Sequence, residues 1–251
     1  MSPTIVLITG ANRGIGKGIL ELYLEKPNHT VIAANRDPTH PTSTALTDLP
    51  KAEGTTLLIV KNEATSPTDP AAAVKELAVQ GISHIDILVA NASTALNFPK
   101  VSEVKAEDIQ KHVDVNIYGF IRLYQAFRPL LKEAKDPKWV TIGSSSAFLT
   151  ASSVWNFYFR ESASYGPTKV VQHWYTKAIS NEDPWLTAFP LDPGWVRTDI
   201  GRRGAEWFGV DLTPAITVEE SATGLVNVID TSTRETHSGK LFKYNGNEEP
   251  W

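Results

Sequence analysis

The chain has 251 residues, 41% of them hydrophobic and 21% charged, which is the balance of a folded domain with a sizeable core rather than of a disordered segment. With 24 basic against 28 acidic residues, the formal net charge is −4 and no long block of one sign occurs, which argues against a protein that binds nucleic acid by neutralising phosphates. There are no cysteines, so disulfides, thiolate metal sites and cysteine nucleophiles are excluded, and no metal site is expected.

The opening MSPTIVLITG enters an apolar strand at once, without the basic and long apolar regions of a secretion signal. No run of about 18 apolar residues is available to span a membrane. A cytoplasmic protein with no membrane partner is expected, and the glycosylation patterns at Asn28 and Asn91 carry little weight. Apolar and β-branched runs predict strands over 4–9, 30–35, 56–60, 85–90, 138–143, 185–191 and 240–244. The first five are nearly continuous in apolar character, as strands buried on both faces should be. Helical patterns lie over 16–25, 67–80, 107–134, 169–179 and 217–230. The fourth carries Val171, Trp174, Tyr175 and Ala178 at the i, i+3, i+4, i+7 spacing of a core-facing stripe. The stretches 37–47 and 201–214 read as loops. Strands alternating with helices predict an α/β fold: one doubly wound domain over 1–251, with a seven-stranded parallel sheet and helices on both faces.

Strand one runs into Thr9-Gly10-Ala11-Asn12-Arg13-Gly14-Ile15-Gly16, and a helix follows. Glycines let such a turn take positive φ and bring backbone close to a ligand. The helix start offers free N–H groups and about half a positive charge to a pyrophosphate. Gly10, Asn12, Arg13, Gly14, Ile15 and Gly16 are therefore candidate nucleotide contacts. A P-loop is a poor alternative, because Gly18 stands where a Ser or Thr binds magnesium.

Further landmarks follow in order. They are Asn91-Ala92-Ser93 after strand four, Val115-Asn116-Ile117 in the long helix, Gly143-Ser144-Ser145 at the end of strand five, Tyr165-x-x-x-Lys169, and Pro193-Gly194-Trp195-Val196-Arg197-Thr198 after strand six. With the Gly-x-x-x-Gly-x-Gly spacing, this series resembles the short-chain dehydrogenase/reductase family over essentially the whole chain. Residues 165–251 are similar to its fungal norsolorinic acid ketoreductase-like branch. The resemblance implies a Rossmann domain and a nicotinamide dinucleotide, with Asn91, Pro193, Gly194, Val196 and Thr198 against the cofactor. It also implies that Lys169 holds the nicotinamide ribose, and that Asn116 keeps a water relaying protons through Lys169 to Tyr165. A homodimer or homotetramer packed through the long helices is a further implication. Two departures stand out: Ala147 replaces a glycine of the serine motif, and the stretch from Ser144 to Tyr165 is longer than usual.

Strand two ends Ala33-Ala34-Asn35-Arg36, with no acid at Asn35 to bind a ribose 2′-hydroxyl and repel a 2′-phosphate. Arg36 can pair with that phosphate, and Arg13 can reach it from the glycine loop. NADP(H) is the expected cofactor, although Asp37 could swing toward the ribose. Glu63 occupies the place where the family often has an adenine-contacting Asp.

Tyr165 and Lys169 lie at i, i+4 and project from one helix face. A neighbouring cation lowers a phenol's pKa, which moves Tyr165 toward neutral pH as a general acid or base. The resemblance aligns Gly143-Ser144-Ser145-Ser146-Ala147 with the family's serine motif and so implies that Ser144 polarises a substrate carbonyl, with Ser145 and Ser146 as competitors. Asn116 falls on the apolar stripe of its helix, so its amide must find partners. The expected activity is that of an NADPH-dependent carbonyl reductase acting on a ketone or alcohol. A bulky aromatic or polyketide-type ketone is expected from Trp155 and Phe157 before Tyr165, and from Trp195, Trp207 and Phe208 near a closing loop over about 199–214. The same rings could instead pack a subunit interface. Two alternatives remain open: a serine hydrolase with Ser145 in an elbow-like turn and His237 as base, and a non-catalytic NADP-binding sensor.

Overall fold

A computed structural model describes residues 2–150 and 161–251. Its first strand, β1 (Thr4–Thr9), is buried from Ile5 onward, and so is β2 (His29–Asn35) from Thr30. Such strands can lie only inside a sheet covered on both faces. β3 (Thr56–Lys61) pairs with β2 on the outer side, and β4 (Ile87–Ala90) flanks β1 on the other. β5 (Lys138–Ile142), β6 (Thr187–Asp192) and β7 (Leu241–Lys243) follow in parallel. The order is β3-β2-β1-β4-β5-β6-β7-β8.

All seven expected strands form, but the sheet has an eighth. β8 (Glu248–Glu249) runs antiparallel to β7. The Asn245-Gly246-Asn247 turn reverses the chain: Gly246 has φ +85°, and Lys243 N–H bonds to the Asn247 carbonyl at 2.9 Å. Two acidic residues carry no strand signal, so the hairpin owes its existence to the turn.

Helices cover both faces. α1 (Gly14–Leu24) lies on one face, and α3 (Asp69–Val79) on the other. Between them the stretch 37–47, expected as loop, contains a short α2 (Pro41–Thr44) and a 3₁₀ turn, Ala45–Asp48. The single helix expected over 107–134 is instead α4 (Ala106–Val113), a π-helical turn Asp114–Gly119, and α5 (Phe120–Lys132). Such insertions widen the backbone spiral and occur often at functional sites. Asn116 sits in this one.

α6 (Gly166–Glu182) starts with Pro167 in its first turn, where a missing N–H costs nothing. Its stripe of apolar residues faces the core only in part: Tyr175 packs against it. Trp174 is 65% exposed, whereas Thr168, Lys169, Gln172, His173 and Thr176 are buried. The buried face of α6 is largely polar because its side chains bond to neighbouring elements: Thr168 and Gln172 to Asn116, Thr176 to Thr141 and Lys169 to the Ile142 carbonyl.

The closing loop expected over about 199–214 is largely helix, α7 (Asp199–Phe208). Thr198 caps it by accepting Gly201 N–H at 3.2 Å, and Gly209 ends it at φ +62°. Gly201 is there for packing rather than flexibility, since a Cβ would overlap the Val196 carbonyl oxygen. α8 (Val218–Thr231) packs on the α1 face, and α9 (Arg234–His237) precedes β7. Among the described residues, no helix is long and apolar enough to cross a membrane.

Candidate active site

The carboxyl ends of β1, β4, β5 and β6 open into one cleft, as expected for a doubly wound sheet. Gly10 and Gly14 hold φ of +63° and +53°, and a Cβ on Gly16 would overlap the Gly10 carbonyl oxygen. Asn91 secures this loop: its Nδ2 donates to the Thr9 carbonyl at 2.8 Å and to the Gly10 carbonyl at 3.3 Å. Asn35 secures it from β2. It is fully buried, its Oδ1 accepts Ala11 N–H at 2.9 Å, and its Nδ2 donates to Ser43 at 3.2 Å. The side chain of Asn35 is thus spent on the shape of the loop.

Asn12 donates to Thr42 at 2.6 Å. Asp37 is occupied by Thr39, whose N–H and hydroxyl hold its carboxyl below the usual range. The two expected phosphate partners stand at the rim. Arg36 is 3.7 Å from Glu63, and Arg13 is 3.5 Å from Asp199. Both arginines are well exposed, so these pairs hold them weakly.

The cleft brings Ser144, Tyr165 and Lys169 together beside Ile15, Pro193, Gly194, Val196 and Thr198. Ser144 is the serine whose side chain acts on the Tyr165 phenol, lowering its pKa, and its Oγ also accepts Ser146 N–H at 3.1 Å. Lys169 is buried, and its Nζ donates to the Ile142 carbonyl at 2.9 Å and lies 5.8 Å from the Tyr165 ring centroid. Burial brings Lys169 down to about 7. Tyr165 departs from expectation. Burial raises it above an ordinary phenol, the Asp192 charge adds to this, and only the Ser144 bond opposes it.

Asn116 lies behind the cleft rather than on its wall. Its Oδ1 accepts from Ser93 Oγ at 2.9 Å and Thr94 N–H at 2.8 Å, and its Nδ2 donates to Thr168 at 3.0 Å. Its backbone carbonyl, within the π turn, accepts from Gln172 Nε2 at 2.7 Å. The amide therefore ties α6 to the loop after β4.

The substrate residues divide. Trp195 and Phe208 line the cleft, joined by Phe98, whose ring centroid is 5.4 Å from that of Phe208. Trp207 does not line it; the ring is half-exposed and meets Phe98 edge-on at 6.4 Å. Helical spacing turns it to the outer side of α7. Trp155 and Phe157 lie outside the described residues.

A family model for short chain dehydrogenases matches residues 4–207. The chain belongs to the short-chain dehydrogenase family. The norsolorinic acid ketoreductase of Aspergillus parasiticus is 38% identical over 99% of this chain and 91% of its own length. A short-chain dehydrogenase of Neurospora crassa is 37% identical, over 99% and 98%. The NADPH-bound carbonyl reductase from chicken fatty liver superposes with a TM-score of 0.86 at 26% identity, over 100% of both chains. The carbonyl reductase Sniffer of D. melanogaster shares the fold, with a TM-score of 0.83 at 21% identity over 100% of both chains.

In this short-chain dehydrogenase, three site residues had escaped sequence reasoning. Asn62, beside Glu63, is buried and leaves its Oδ1 without a partner in a small recess with Thr9, Ala90 and Ala92. An orphaned acceptor there fits a donor on a bound base, as the glycine loop fits a pyrophosphate. Its only sequence signal was a polar residue just after the third strand. His173 lies two helical turns beyond Tyr165, and its Nε2 accepts Ser144 N–H at 3.4 Å. Burial and the Lys169 charge push it down to about 3, so the ring is neutral. Asp192 is the third. A hydrolase triad is not assembled among the described residues: His237 stacks on Phe242 at 4.3 Å and does not line the cleft with Ser145.

Proposed function

We propose that this oxidoreductase is an NADPH-dependent ketoreductase whose substrate is a bulky aromatic, polyketide-type ketone. The observation that carries the reading is the group Ser144, Tyr165 and Lys169 on the floor of a cleft walled by Phe98, Trp195 and Phe208. The NADPH supplies the hydride when bound. Ser144 donates a hydrogen bond to the carbonyl oxygen and polarises it. Tyr165 gives its phenolic proton to that oxygen, and its raised pKa keeps the proton in place until then. Lys169, near 7, stands ready to return a proton to Tyr165. Phe98 and Phe208 offer flat apolar area against which aromatic rings stack.

Selection of NADPH rests on Arg36 and Arg13, with no acid at Asn35 to repel a 2′-phosphate. The glycine loop holds the pyrophosphate and Asn62 the base. Support also comes from the relatives' names, which include ketoreductases and an NADPH-bound carbonyl reductase. The outward face of α6, with Trp174, is read as a surface covered in a homodimer or homotetramer; light scattering decides it. The test of function is NADPH oxidation with a multi-ring aryl ketone and a small aliphatic ketone. Faster turnover of the aryl ketone is expected, and preference for the aliphatic one or no turnover of either overturns the reading.

A further inference from the structure

Asp192 ends β6 with its side chain buried. One carboxylate oxygen, Oδ1, accepts two backbone N–H groups, from Ser145 at 3.2 Å and from Gly194 at 3.4 Å. The first belongs to the turn that carries Ser144, the second to the Pro193–Gly194 turn after the neighbouring strand, and both turns line the cleft. The other side of Asp192 is strand: it pairs with Lys243 of β7, and its carbonyl accepts Tyr244 N–H at 2.8 Å. The charged and titratable groups that act with it are Lys243 and Tyr244, Glu249 of β8, and Tyr165 and Lys169 of α6. Lys243 is already paired with Glu249 at 2.7 Å. Lys169 has a neutral carbonyl as its hydrogen-bond acceptor. A buried carboxylate is costly unless its charge is used, and the strand at this point needs none.

We propose that Asp192 is a positioning residue of the active site: it ties the Ser144 turn to the Pro193–Gly194 turn and sets one negative charge next to Leu191, the register partner of the Ile142 whose carbonyl holds Lys169. This rests on the reading of Ser144, Tyr165 and Lys169 as the reacting set. Burial pushes Asp192 up to about 6, so the carboxylate is ionised at neutral pH. Its charge opposes the desolvation that lowers Lys169, and so holds the proton that Lys169 returns to Tyr165.

Asp192→Asn keeps the shape and an acceptor for both N–H groups and removes only the charge; Asp192→Ala removes both. In D192N, Lys169 titrates at lower pH than in the unmutated protein, followed by NMR of ¹³C-lysine-labelled protein with Lys169→Arg assigning the resonance. The alkaline limb of ketone reduction moves to lower pH, because Tyr165 also loses the charge that raised it. At neutral pH kcat falls about tenfold while KM stays within about twofold, a loss at the proton transfer alone. In Asp192→Ala, KM for the ketone rises as well, because the two turns are untied. An unchanged Lys169 titration in D192N overturns the proposal whatever the activity does, and D192N alone decides this if the alanine variant does not fold. If the unmutated protein reduces no ketone but Lys169 still shifts in D192N, the functional reading fails and the electrostatic role of Asp192 stands.

Discussion

Gly143 and His173 are a matched pair: a Cβ on Gly143 would overlap His173 Nε2, the atom that receives Ser144 N–H. The close approach lets an imidazole from α6 brace the turn that follows β5. Gly143→Ala should destabilise the protein by about 1–3 kcal/mol through overpacking. His173→Ala should relieve that strain, so the double variant loses less than the two singles together, by about 1 kcal/mol or more. Urea unfolding of all four proteins measures the coupling, and additive losses would show that the two positions do not compete for space.

His173 also sets an acid sensitivity. Its folded pKa, about 3, lies below the ordinary histidine value of about 6.5. Between these values the unfolded chain binds a proton that the folded chain refuses. The contribution is complete above about pH 6.5 and is lost progressively as pH falls toward 3. His173→Gln keeps an acceptor for Ser144 and removes the titration. Its Tm should drop less than that of the unmutated protein between about pH 7 and about pH 4.5. Equal drops would mean that other groups control acid unfolding.

Tyr165→Phe should bind NADPH as before and lose turnover by about 10²–10⁴, the usual contribution of general acid catalysis. Lys169→Ala should weaken both NADPH binding and turnover, because it is assigned to both. Cofactor fluorescence and ketone-dependent NADPH oxidation separate the effects. Undiminished reduction by Tyr165→Phe would remove the mechanism.

NADPH should bind more tightly than NADH, and Arg36→Ala should erase most of the difference. A charge-assisted hydrogen bond contributes about 1.5–3 kcal/mol, or roughly ten- to a hundredfold in affinity. Arg36 is 75% exposed and only loosely paired with Glu63, so it is free to turn to a ligand. Titration calorimetry with both dinucleotides checks this, and equal affinities in the unmutated protein would exclude it.

Phe208→Ala should lower kcat/KM for a multi-ring aryl ketone more than for a small aliphatic one. Loss of one aromatic contact is worth about 0.5–1.5 kcal/mol beyond burial. Trp207→Ala should change the ratio less, since that ring does not line the cleft. A larger effect at Trp207 would mean that α7 is turned differently around the substrate.

The strands, the glycine loop and the shared helix face of Tyr165 and Lys169 were legible because each depends on local pattern, whereas Ser144 was singled out among three serines only by family resemblance. Buried parallel strands need continuous apolar runs, a tight phosphate turn needs glycines, and a residue pair on one helix face needs i, i+4 spacing. Local pattern failed where a neighbour decides what a side chain does. Val171 and Trp174 form an apolar stripe, yet α6 buries its polar face because Asn116, Ile142 and Ser144 offer Gln172, Lys169 and His173 their partners. Gly201 signalled a loop, but a carbonyl from Val196 requires it inside a helix. Asn35 and Asp192, which end strands, and Asn62, which follows one, are ordinary residues in one dimension. Only the sheet order, which sets β1 between β2 and β4 and β6 beside β5, turns them into a brace for the glycine loop, an orphaned acceptor and a carboxylate shared by two turns.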